Sequence, residues 1–271
     1  MHEYVSFNCR TVSAKDAFLS AVSSAALYGK GIFTTVAIYK TKPFLWLKHW
    51  QRLTTNAGKL KIDFSGISRE SIENALAEII AKNKLLNGRA RLTIFDESAS
   101  PIWQNGSKTK TSFLIQTADF RVAPDEFFLT VSPVVLNSKS PLAGVKSCNY
   151  LENILALEDA QAKGFSEAIR LNERGYIASG IMANIFWTKD RRIFTPALET
   201  GCLAGTTRAF ILENFTVVEV EAQLREILSA DEVFLTSAGL GIARVKNIDG
   251  QSFSNTSKTV KELQKIFPNF T

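Results

Sequence analysis

Residues 146–175 read KSCNYLENILALEDAQAKGFSEAIRLNERG, and the rest of the fold is read outward from them. Leu151 to Lys163 predicts a helix, which Gly164 stops. Residues 167–172 then predict a short strand, followed by a turn at Glu173-Arg174-Gly175. At the head of the stretch stands Lys146, with Pro141-Leu-Ala-Gly-Val145 before it and small polar residues after it. An amine at a loop-to-helix junction in a partly dry pocket has its pKa lowered by desolvation, which frees it for carbonyl chemistry. The commoner reading of such a residue is a lysine that lays its stem over apolar surface at a helix start. Taken alone, the stretch leaves both readings open.

Working outward, residues 184–188, 192–195 and 232–236 predict further strands, and helices are expected at 206–214, 221–229 and 257–266. Upstream, residues 13–27 predict a short helix before the glycine-rich Tyr28-Gly29-Lys30-Gly31. Ile32–Tyr39 and Phe44–Leu47 predict a hairpin, and a helix follows from Lys48 to Lys59. The clearest helix spans 69–84, with Ser68 as its cap and Ile72, Ala75, Leu76, Ile79 and Ile80 on one face. Arg89 to Phe95 alternates as a half-buried strand does. Ser112–Thr117 and Phe127–Val135 complete the set of strands. Residues 96–111, polar and carrying Trp103, predict a long loop of the kind that borders active sites. The change of character at Ala118 to Glu126 sets a domain boundary, giving a smaller N-terminal α/β domain over 1–120 and a larger domain over 121–271. The fold class is mixed, α+β or α/β. Neither GxGxxG nor GxxxxGK[ST] occurs, which argues against a Rossmann or P-loop site.

Composition narrows the chemistry. The chain has 271 residues, 45% of them hydrophobic and 21% charged, as in a soluble globular protein. No apolar run approaches the roughly 20 residues of a membrane helix, and the N-terminus shows no apolar secretory core. A cytoplasmic protein with no membrane partner is expected. The net charge of +6 comes from scattered lysines and arginines, so a small anionic ligand is expected and no nucleic acid. Only His2 and His49 are present, so neither a Ser-His-Asp triad nor a multi-histidine metal site is expected. The three cysteines fit no metal pattern and read as reduced thiols.

A second motif, Thr200-Gly-Cys-Leu-Ala-Gly-Thr-Thr-Arg208, puts glycine and two threonines before a helix, which suits an anion. A plain threonine-capped helix reads the same way. Together with YGKGIFTT (28–35), HWQRL (49–53), the stretch 146–175, NIFW (184–187) and EVFLTSAGLGIARVKNIDG (232–250), the chain resembles the fold-type IV pyridoxal-phosphate (PLP) enzymes, the class IV aminotransferase family. That family includes branched-chain and D-amino-acid aminotransferases and 4-amino-4-deoxychorismate lyase. The resemblance covers about Tyr28 to Gly250. It implies a D-amino-acid-aminotransferase-like fold of two domains, with PLP in the interdomain cleft held by the 121–271 domain, and a homodimer acting on a small amino-acid or anionic substrate. It also implies roles for particular residues. Lys146 is the Schiff-base lysine and acid–base, Arg52 pairs with the phosphate, and Thr206 and Thr207 form a phosphate cup. Thr236, Ser237 and Ala238 form a second phosphate-side loop, and Tyr28 lies on the substrate side. Asn149 is expected to orient a polar neighbour, and His49 and Tyr150 to be packing residues.

One position departs from the family pattern. Where the family has a glutamate for the protonated pyridine nitrogen, this chain has Ser179. Serine cannot hold that proton by charge, so a weaker electron sink is expected. An elimination that makes its product aromatic tolerates this better than transamination does, and Phe33-Thr34-Thr35 and the Pro141–Lys146 motif also look like the lyase branch. The expected activity is therefore conversion of 4-amino-4-deoxychorismate to 4-aminobenzoate and pyruvate, within folate biosynthesis. An aminotransferase for D-amino, branched-chain or other small amino acids is the alternative, and an impaired PLP-binding protein a further one. Lys30, Arg244 and Lys246 are candidate hosts for substrate carboxylates.

Overall fold

The computed structural model describes residues 1–99, 109–120, 124, 126–253 and 259–267. Trp103, and with it the middle of the loop expected at 96–111, lies outside them. The chain forms two compact units, one of Met1–Arg121 with Val145–Asn149 and one of Val122–Gly144 with Tyr150–Thr271. Lys146 thus clusters with the first unit, although it lies beyond the boundary near residue 120.

The first unit is an antiparallel sheet with helices on one face. Its strands are β1 (Tyr4–Phe7), β2 (Arg10–Ser13), β3 (Gly31–Tyr39), β4 (Lys42–Pro43), β5 (Gly88–Asp96) and β6 (Thr111–Ala118), in the order β2-β1-β6-β5-β3-β4. The strand period of two divides β3 cleanly. Ile32, Thr34 and Val36 stand opposite Ile94, Leu92 and Ala90 of β5, while Phe33 and Thr35 stand opposite Thr93 and Arg91 on the other face. The first face packs on α2 (Trp46–Lys59) through Leu53 and Ala57, and on α3 (Arg69–Lys82) through Ile72, Ala75, Leu76, Ile79 and Ile80. Each large aliphatic side chain so buried contributes about 1.5–3 kcal/mol. Ser68 caps α3, its hydroxyl accepting from the Ser71 N–H.

Two upstream expectations change. Residues 13–27 hold only α1 (Ser24–Tyr28), preceded by a single 3-10 turn at Ala14–Asp16. The serine hydroxyls offer the backbone local partners, Ser23 bonding the Ser20 carbonyl and the Ala26 N–H, so the segment turns instead of winding continuously. The hairpin's second strand is only the two residues of β4. Leu45 takes a left-handed φ of 54°, and α2 starts immediately after it.

The second unit carries a nine-stranded sheet among its described residues. Its strands are β7 (Phe127–Val131), β8 (Glu167–Leu171), β9 (Ile177–Gly180), β10 (Asn184–Lys189), β11 (Arg192–Pro196), β12 (Val217–Val220), β13 (Glu232–Ser237), β14 (Gly241–Ile248) and β15 (Gln251–Ser252). They run β12-β11-β10-β13-β14-β7-β8-β9, with β15 paired to β14. Its helices are α4 (Leu151–Ala162), α5 (Thr206–Asn214), α6 (Leu224–Leu228) and α7 (Thr259–Ile266). The deciding stretch therefore folds as α4, a turn at Gly164 (φ 86°) and β8. No helix among the described residues is long and apolar enough to cross a membrane.

Candidate functional site

Lys146 is positioned by backbone pairing. The 31–33 end of β3 has β5 on one side only, and residues 146–148 add to its open edge. Phe33 N–H donates to the Lys146 carbonyl (2.9 Å), Cys148 N–H to the Gly31 carbonyl (2.8 Å), and Ile32 bridges Ser147. Gly31 is required there, because a Cβ would stand 2.9 Å from both the Cys148 sulfur and the Ile94 carbonyl. The pairing sets the Lys146 ammonium 4.4 Å from the centroid of the buried Phe33 ring. The guanidinium of Arg91 lies 3.7 Å from the same centroid. Desolvation, followed by the nearby charges of Arg52 and Arg91, brings the amine from its ordinary 10.5 down to about 7. Close to half the population then has a free lone pair at neutral pH, the state a nucleophilic lysine needs.

Behind β3, on its helix-covered face, lies a polar group in an otherwise aliphatic surface. Thr34 Oγ1 is 2.6 Å from Nδ1 of His49, and Arg52 donates to the same oxygen at 2.8 Å. Burial first, then Arg52 and Lys146, hold His49 well below the usual imidazole value, so it is neutral. His49 was expected to be a packing residue; it is buried, and it also makes this hydrogen bond.

Tyr28 ends α1 and is exposed. The turn after it is held by Asn149, whose Nδ2 donates to the Gly29 carbonyl at 3.1 Å. Gly29 has φ 64°, and a Cβ there would meet the Asn149 amide oxygen at 2.7 Å. Asn149 thus orients a turn of the main chain.

In the second unit, Thr206 and Thr207 open α5 after Gly205, which supplies no side-chain cap. Asn184 anchors the approach, its Nδ2 donating to the Leu203 carbonyl at 2.8 Å, and a Cβ on Gly205 would collide with the Asn184 amide oxygen. Thr236 lies directly across from Asn184 in the β10–β13 register. The buried hydroxyls of Thr207 and Thr236 make no hydrogen bond among the described residues. Buried polar atoms are rarely left so. With the uncapped first turn of α5, they form a donor set suited to a phosphate. Ser237 and Ala238 follow at the end of β13, where Ser237 pairs with Gly241. Within the second unit this donor set fits a phosphate such as that of PLP, and within the first unit the deprotonatable Lys146 fits an aldehyde.

Ser179 lies on β9 directly across from Arg170 of β8. Arg170 is buried and bonds the Val134 and Val135 carbonyls (both 3.2 Å) and Glu152 (3.3 Å). Glu173 accepts from the Ser138 N–H (2.8 Å) and hydroxyl (2.7 Å), which lowers it to about 2 and commits it to that loop. The buried carboxylate near Ser179 in the chain is instead Glu167. It accepts the N–H groups of Ala168, Ile181 and Met182 and so shapes the turn after β9.

The three cations named as carboxylate hosts each face an acid already. Lys30 is 2.6 Å from Asp96, Lys246 3.4 Å from Glu126 and Arg244 3.9 Å from Glu232. Arg91 is the exposed cation beside Lys146. The alternation of β5 put its side chain opposite Leu92, but its nearness to Lys146 follows from a pairing between residues more than fifty positions apart.

The Amino-transferase class IV family pattern matches residues 31–248. Aminodeoxychorismate lyase of Bacillus subtilis is 31% identical over 96% of this chain and 92% of its own length. Among solved structures, the Escherichia coli branched-chain amino acid aminotransferase superposes with a TM-score of 0.88 at 26% identity, covering 98% of this chain and 93% of that one. A putative 4-amino-4-deoxychorismate lyase from Legionella pneumophila gives 0.86 at 28%, covering 93% and 95%. The chain belongs to the class IV aminotransferase family and is a PLP-dependent enzyme.

Proposed function

We propose that the chain is an aminodeoxychorismate lyase, releasing 4-aminobenzoate and pyruvate from 4-amino-4-deoxychorismate. The observation that carries this reading is at Ser179, a hydroxyl paired in register with the buried Arg170 at the position where the resemblance calls for an acid. Neither residue stabilises a proton on a ring nitrogen by charge. A reaction with its own driving force suits such a site, and loss of a proton and of the enolpyruvyl group leaves an aromatic product. The 31% identity to the Bacillus subtilis lyase supports the same choice.

When bound, PLP supplies a carbonyl for the substrate amine and a conjugated ring that withdraws electrons. Lys146, about half of it neutral at pH 7, is proposed to hold the aldehyde carbon. Its amine would then take the proton from the carbon bearing the substrate amine and return one to the departing three-carbon unit. Arg52 of the first unit and Thr206, Thr207, Ser237 and Ala238 of the second are proposed to bind the phosphate. Ser179 is proposed to donate its hydroxyl proton toward the ring nitrogen. Arg91 is proposed to receive a substrate carboxylate, with Tyr28 bordering the same side. A homodimer accounts for the exposed Phe18, Leu27 and Tyr28 in the first unit and Leu151 and Leu155 in the second, apolar surface that a monomer rarely leaves to water. Sedimentation at the monomer mass would overturn the dimer.

One observation favours a second reading, aminotransferase activity: the branched-chain enzyme superposes as closely as the lyase does. Purified protein mixed with aminodeoxychorismate should yield 4-aminobenzoate and pyruvate in equal amounts. Neither product, alongside keto-acid-dependent amino transfer, would reverse the choice.

A further inference from the structure

On the helix-covered face of β3, Ile32, Val36 and Ile38 belong to one aliphatic core with Leu53 and Ala57 of α2. Thr34 interrupts that row and is fully buried. A buried hydroxyl in such a place is costly unless it bonds, and valine would suit both the strand and the core. The only histidine apart from the N-terminal His2 is also spent here, and Arg52 follows it by three residues, on the same face of α2.

Donor accounting fixes one of the two bonds. Arginine only donates, so the Thr34 oxygen accepts from Arg52. The other contact joins the same oxygen to Nδ1 of His49, 2.6 Å away, and its direction follows the His49 tautomer. In either direction the short contact from a buried ring anchors the hydroxyl, and the hydroxyl keeps a lone pair for one terminal nitrogen of the guanidinium. A planar donor pinned at one nitrogen presents the rest of its fork in a fixed direction.

We propose that Thr34, oriented by His49, is the positioning residue that holds Arg52 ready for the cofactor phosphate. The proposal rests on the reading of Arg52 as a phosphate ligand, and the experiment tests the two separately. Holoenzyme is stripped by dialysis and reloaded with PLP or with pyridoxal, which lacks the phosphate. Affinity is read from the absorbance of the lysine-bound cofactor. Arg52→Met should weaken PLP binding at least tenfold and leave pyridoxal unchanged; if it does not, the reading of Arg52 fails. With that established, Thr34→Val should weaken PLP binding about tenfold, again sparing pyridoxal, and Thr34→Ser should restore it. Thr34→Val binding PLP as the parent does, or losing PLP and pyridoxal alike, would overturn the positioning role.

Discussion

Replacing Lys146 by methionine should remove covalent cofactor and, in the same step, stabilise the apoprotein at neutral pH. The lysine titrates at 10.5 when unfolded and at about 7 in its pocket. At pH 7 the unfolded chain therefore holds a proton that the folded chain must half release. That difference corresponds to about 4 kcal/mol of lost stability, reduced to about 2–4 kcal/mol by the partial solvent access of the residue. The sign follows from proton counts. Between about pH 7 and 10.5 the unfolded state binds more protons, so stability rises with pH across that window, and below 7 the penalty is complete. Methionine fills similar volume beside Phe33 without the charge. In urea titrations of apoprotein, wild type should gain about 1–2 kcal/mol relative to Lys146→Met between pH 7 and 9, because all other groups cancel in the comparison. Parallel stabilities at the two pH values, or a variant less stable than wild type at pH 7, would refute the reasoning.

Removing Arg91 as Arg91→Met should raise KM for a dicarboxylate substrate about tenfold or more with a smaller change in kcat, the pattern of a lost binding contact; equal KM values would remove Arg91 from the substrate site. Ser179→Glu places an acid across from Arg170 and should increase single-turnover amino transfer from amino acids relative to the lyase reaction. An unchanged ratio would sever Ser179 from the choice of reaction. Gly205→Ala forces a Cβ against Asn184 and should destabilise the protein by about 1–3 kcal/mol, measured by urea unfolding; a neutral effect would mean the α5 approach relaxes freely.

Periodic elements were legible in the sequence for a simple reason. The α3 face, the alternation of β5 and the α4–Gly164–β8 run are set by residues that meet water on one side and a core on the other, so the pattern is local. The short strands β9 and β12 escaped notice because four residues carry too little period to stand apart from a turn. In the site, Thr34 was visible as part of a motif but not as a partner of His49, since β3 and α2 bring them together only after folding. Arg91 had a face but no neighbour. Its proximity to Lys146 depends on residues 146–148 joining the edge of β3. Glu167 and Arg170 looked like ordinary strand charges, and only their burial marks them out. The carboxylates beside Lys30, Arg244 and Lys246 were likewise invisible, because each pairing is long-range or cross-strand.

The five residues that bring Lys146 to β3 impose an order in time. The chain leaves the first unit after Arg121, returns for Val145–Asn149, and departs again. A ribosome therefore releases all six described strands of the first sheet with the 31–33 edge of β3 still open, and the segment that bridges that edge emerges later. Until that segment docks, the amine remains an ordinary hydrated lysine with no Phe33 beneath it. On the proposed role of Lys146, capture of the cofactor is tied to the closing of this edge, and a nascent chain ending near residue 121 has an open strand edge and lacks that amine.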